Sequence, residues 1–128
     1  MFIKETDQFP VIRVSYQPQD SIPVKDNLEI YESLLDKEQN FVFVSQGPFP
    51  EAEPNHEERK IVAAWVKQKR EILTQYVKAL VHIEPNEQIR LAEQKFANNF
   101  IKFSGYPMFI VENEEQADQI INSVLKLP

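Results

Sequence analysis

One stretch limits the possible folds more than any other. The apolar run Phe41-Val42-Phe43-Val44 leads through a proline-rich loop into a long helical pattern that starts near His56. That pattern ends at about Val77 and passes directly into a second apolar run, Ala79 to Ile83. Strand, helix and strand in this order form a βαβ unit, whose crossover makes the two strands parallel. Phe41 to Val44 is apolar on both faces, as a strand covered from both sides must be. The helix has a readable start: Asn55 can cap it, and Glu58 three residues on completes a capping box. Its expected buried stripe is Ile61, Val62, Trp65, Ile72, Leu73, Tyr76 and Val77.

The flanking chain continues the alternation. Met1 to Thr6 reads as a short edge strand, and Asp7-Gln8-Phe9-Pro10 supplies turn chemistry. Val11 to Tyr16 alternates with period two, placing Ile12, Val14 and Tyr16 on one face. Val24, Leu28, Tyr31, Leu34 and Leu35 recur at helical spacing. Beyond Ile83, Glu84-Pro85-Asn86 breaks the chain and offers Asn86 as a cap. Ile89, Ala92, Phe96, Ala97, Phe100 and Ile101 then mark a third helix, which Ser104-Gly105 closes. Met108 to Val111 is a last buried strand. Asn113 with Gln116 repeats the capping box before the stripe Ala117, Ile120, Ile121, Val124, Leu125. The order β(β)αβαβαβα predicts an α/β fold with a mostly parallel or mixed sheet and packed helices. Its 128 residues fit one domain.

Composition narrows the function classes. A formal net charge of −6 argues against nucleic acid, whose phosphates require a basic face. With no cysteine there are no disulfides, thiolate metal sites or thiol catalysis. No run approaches the length of a membrane span and the N-terminus lacks a signal-peptide core, so a cytoplasmic location is expected. The two glycines, Gly47 and Gly105, form no phosphate-binding loop, and no cofactor is expected.

A resemblance rests on the run Glu57-Glu58-Arg59 through Trp65 into Ala79-Leu80-Val81, on Arg90, and on Tyr106-Pro107-Met108-Phe109-Ile110-Val111 with Glu114-Glu115-Gln116-Ala117. With the element order, these make the chain similar to the small stand-alone SpoIIAA-like proteins of the STAS-domain group in bacteria. The resemblance implies a compact domain with a mixed sheet that binds partner proteins. Antagonists of that family carry a phosphorylatable serine in an Asp-Ser-Ser-Gly-like motif at a helix start. Here the corresponding stretch runs from Ser45 to His56 with no Ser or Thr near the helix start. Glu53, Glu57 and Glu58 would also repel an added phosphate. Switching by serine phosphorylation is therefore not expected.

The candidate site residues fall into two groups. The loop Ser45–Asn55 has 11 residues, long for a connection in an α/β unit. Within it Phe49 stands between two prolines as a stiff aromatic, so Ser45, Phe49 and His56 are the partner-binding candidates. Phe49 folding inward to cap the core is the equal alternative. A second group, Glu84, Arg90, Glu112 and Asn113, lies near the carboxyl ends of strands, where open α/β sheets hold ligands. A Glu84–Glu112 acid–base pair is conceivable there, although polar residues also collect at strand ends because those ends emerge into water.

No catalytic residue and no metal ligand is expected. His56 has Lys60 at the helical position where a second ligand would stand. His82 shares a strand face with Leu80 and Glu84 and reads as a partly covered sheet residue with nothing around it to complete a site. The chain is thus expected to bind another protein without catalysis, with homodimerisation through an uncovered sheet edge or face also compatible. The alternative is a carrier of a small-molecule or lipid-like ligand in an apolar pocket lined by Phe49, Phe96, Phe100 and Phe103.

Overall fold

A computed structural model describes residues 1–49 and 55–126. Of the loop Ser45–Asn55, residues 50–54 therefore lie outside the description, Glu53 among them. The fold is α/β, with one five-stranded mixed sheet in the order β1-β2-β3-β4-β5. The strands are β1 (Phe2–Glu5), β2 (Val11–Ser15), β3 (Phe41–Gln46), β4 (Val77–Ile83) and β5 (Met108–Val111). The helices are α1 (Val24–Leu35), α2 (His56–Tyr76), α3 (Glu87–Ser104) and α4 (Glu114–Leu125). β1 runs antiparallel to β2, and β2 to β5 are parallel.

The strand order decides where the helices go. Parallel neighbours joined in sequence by crossovers of one hand carry every connecting helix on the same face. Accordingly Tyr31, Leu34 and Leu35 of α1, Leu73 of α2 and Ala97 of α3 pack with Phe41, Phe43 and Leu80. α4 is not a crossover, so it is free to cover the other face, where Ala117 and Ile121 meet Val42, Val44, Ala79 and Val81. β3 and β4 are buried on both faces, so their alternating side chains feed both cores at once.

Local chemistry sets the helix ends. Asn55 Oδ1 accepts from the backbone N–H of Glu57 at 2.8 Å, Asn86 Oδ1 from Ile89 at 3.0 Å, and Asn113 Oδ1 from Gln116 at 2.9 Å. Each satisfies a donor that the first helical turn leaves without an intrahelical partner. The Gln116 side chain reaches back to the N–H of Glu112, one residue beyond the expected reciprocal bond to Asn113. Gly105 ends α3 at φ 89°, and a Cβ there would meet Thr74 Oγ1 at 2.6 Å. Conformation and space therefore both select glycine. Asn27 of α1 fastens the outer strand, accepting from Ile3 N–H and donating to Met1 O, each at 2.9 Å.

Two expected stripes differ from the structure. In α2 only Leu73 is buried, Ile61 and Ile72 are exposed, and Val77 opens β4 instead of closing the helix. The cause is length. A helix of 21 residues runs about 31 Å, whereas a six-residue strand covers about 20 Å. The amino-terminal half of α2 overruns the sheet. In α3, likewise, Ile89, Phe96 and Ile101 are exposed, and the buried positions are Glu93, Ala97 and Ser104.

Candidate functional site

At the carboxyl end of the parallel strands, the three-helix face carries a buried polar cluster. Ser45 and His82 are opposite each other in the β3–β4 register. Alternation puts both on the face of Phe43 and Leu80, directly below α3. Ser45 Oγ lies 2.7 Å from His82 Nδ1, and His82 Nε2 lies 3.2 Å from Glu93 Oε2. Relative exposure is 2% for Ser45, 0% for His82 and 6% for Glu93. Among the described residues, Nε2 and both Glu93 oxygens have no other polar partner within hydrogen-bond geometry. Buried polar atoms without partners are rare in folded proteins and costly.

An ion pair across that 3.2 Å would require protonated His82, and burial acts against it on both partners. Burial lowers the His82 pKa, with backbone hydrogen bonding to Gly47 and the charge of Glu84 pulling weakly the other way. Burial first, and then the Glu84 carboxylate, raise Glu93 from 4.5 to about 7. The arrangement that satisfies both directions is a neutral pair holding one proton.

Aromatic rings roof the cluster. The Phe49 ring centroid lies 4.6 Å from that of His82, 4.8 Å from Tyr16 and 5.4 Å from Phe96. Phe100 continues the row beside Phe96 and Tyr106. Phe49 is thus turned inward onto His82. Phe103 stands apart from this row, exposed near the end of α3.

The other expected residues do not converge. Glu84 is buried, and its Oε2 accepts from the Asn86 N–H at 3.0 Å. Glu112 is exposed, and no contact among the described residues joins it to Glu84. The Arg90 guanidinium donates to the carbonyls of Glu84 and Pro85, each at 2.8 Å, and so serves the β4–α3 turn. Asn113 caps α4, and His56 is exposed in the first turn of α2. His82 requires a correction: it is fully buried, and Ser45 and Glu93 do complete a set around it. Glu93 was not among the expected site residues. Its signal was position, four residues before Ala97, which the apolar stripe of α3 marks as inward.

Clefts of about 290 Å³ against Glu32, Lys69 and Tyr76, and about 480 Å³ against Ile3, Ile30 and Lys37, lie away from this cluster. Among the described residues no group of His, Cys, Asp and Glu has the arrangement of a metal site, and no helix is long and apolar enough to cross a membrane. No known family, curated protein or solved structure matches the chain.

Proposed function

We propose that this chain is a non-catalytic interaction or regulatory module of the SpoIIAA-like type, acting in the cytoplasm on another protein and not switched by serine phosphorylation. The observation that carries the reading is the surface of α3. Phe103 is 53% exposed, Phe96 49% and Ile89 39%, and their seven-residue spacing puts all three on one face of the helix, with Leu91, 67% exposed, on another face. Clustered large apolar residues at a surface mark contact sites for other macromolecules, whereas scattered single ones carry no such meaning. The burial of Ser45 also supports the reading, since a hydroxyl held against His82 is closed to a kinase. The test is capture of partners from native extract with the tagged protein beside Phe103→Ser and Leu91→Ser. The expected result is a partner retained by the wild type and lost by at least one variant, at unchanged melting temperature. Capture that neither substitution alters would refute the assignment.

One observation favours a second reading, a small-ligand carrier: the partnerless Nε2 of His82 and carboxylate of Glu93 under the row Phe49, Phe96 and Phe100. Native mass spectrometry of the purified protein should then show an added mass that Glu93→Gln loses. A bare chain mass in both proteins removes this reading.

A further inference from the structure

We propose that the channel between α2 and α3 is a docking site for an acidic amphipathic helix of the partner protein, an inference that rests on the interaction reading above. Ile89, Phe96 and Phe103 recur every seven residues and are all exposed, Ile89 at 39%. Seven-residue spacing is the period at which one helix meets another along a continuous seam. From Ile89 to Phe103 the seam runs about 21 Å, four turns of a facing helix.

The contact of Phe96 with Phe49, which comes from the β3 side, shows that this seam is on the flank of α3 turned toward α2. The facing flank of α2 is identified just as directly. Arg70 Nη1 donates to the carbonyls of Lys102 and Phe103 at 2.9 and 3.1 Å, and Thr74 Oγ1 to Gly105 O at 2.9 Å. Helical period then places Lys60, Ala63 and Lys67 on that same flank, above the point where the two helices touch. Ala63 leaves room for a close approach. On the outer side of the seam α3 presents Lys95. Among the described residues Glu71, four after Lys67, is the one carboxylate that the same period brings to the α2 arc, none falls on the α3 arc, and Lys69 is turned away to Glu32. A chain with net charge −6 has therefore gathered an apolar line between basic borders.

Charge decides the occupant. Acidic residues flanking an apolar stripe would meet Lys60, Lys67 and Lys95 on both sides, with steering toward the channel. A second copy of this chain would instead oppose the same lysines to one another. An anionic membrane would be repelled by the remainder of the acidic surface, and a single line of three residues offers it little area to insert.

A display library of helical peptides, selected against the full chain, tests the proposal. The expected winners carry apolar residues at three- and four-residue spacing with Asp or Glu on both flanks. Their binding should weaken about tenfold or more, roughly 1.4 kcal/mol, in Phe103→Ser and in the Lys67→Glu, Lys95→Glu double variant, and should fall with salt. Winners with basic flanks or no helical period would overturn the proposal, as would binding that the double variant leaves unchanged. Binding to phosphatidylserine vesicles that Phe103→Ser abolishes would replace the helix by a membrane surface. If acidic helices fail while capture from extract still depends on Phe103, the helix assignment falls and the interaction reading stands.

Discussion

Replacing Phe43 by alanine should lower the free energy of unfolding by about 4 kcal/mol, a large part of what holds a domain of this size together. Phe43 is fully buried at the centre of the sheet. Its ring centroid lies 5.4 Å from Tyr31 of α1, 5.4 Å from Phe41, and 6.0 Å from Tyr106 ahead of β5. One side chain thus joins a crossover helix, its own strand and the entry to the edge strand. Removing it leaves a cavity walled by rigid rings and by backbone fixed in the ladder, which cannot collapse to fill it. The same truncation at Phe103, half exposed on α3, should cost less than about 1 kcal/mol. Urea unfolding of both variants at one pH decides the matter. Equal losses would mean that the three-helix core is not organised around Phe43.

The second large effect concerns the proton shared by His82 and Glu93. In the unfolded chain between about pH 4.5 and 6.5 that proton sits on the histidine, and in the folded protein burial moves it to the glutamate. Both states then bind one proton, so the pair contributes almost no pH dependence to wild-type stability in that window. Single substitutions should expose two opposite slopes. In Glu93→Gln the folded pKa of His82 stays below its unfolded value. The folded state then resists the proton that the unfolded state accepts, and stability is full above 6.5 and lost as pH falls.

In His82→Asn, which keeps a side-chain partner for Ser45, Glu93 retains a folded pKa above its unfolded one. Its contribution is complete below 4.5 and lost as pH rises through about 7. From 4.5 to about 7, at about 1.4 kcal/mol per unit, the loss is ~3 kcal/mol. Unfolding measured at four pH values from 4.5 to 7.5 reads both slopes. Parallel profiles in the two variants would exclude a shared proton. The groups facing the pair are Ser45 on β3, Glu84 just past β4, Tyr16 just past β2 and Arg90 on α3. The guanidinium of Arg90 is committed to backbone carbonyls, so it offers the carboxylates no hydrogen-bonded neutralisation.

Much of the architecture was legible in the residues. Asn55, Asn86 and Asn113 each stand where a helix begins, and Gly105 where one ends, because capping and left-handed backbone depend only on a few adjacent residues. The doubly apolar run of β3 announced a strand covered on both sides. The inward faces of α2 and α3 were less legible. Hydrophobic spacing shows that a helix has an apolar side but not how much sheet there is beneath it. Ile61 satisfies the spacing and still faces water because α2 is longer than its strands, and Ile89 and Phe96 do so because they lie on a flank of α3 beside its inward face of Glu93, Ala97 and Ser104.

The candidate site shows the same division. Sequence alone placed Ser45 first in the loop after the strand Phe41–Val44, which in the structure continues through Gln46, and His82 within the next strand on the face of Leu80 and Glu84. It also made the order of strands and helices nearly unavoidable. Only tertiary structure brought Ser45 and His82 into register, lowered Glu93 onto them, and put Phe49 above. Those contacts depend on how β3 slides against β4 and how α3 rotates over the sheet. Both are set by the summed packing of residues far apart in the chain, and no local pattern records that sum.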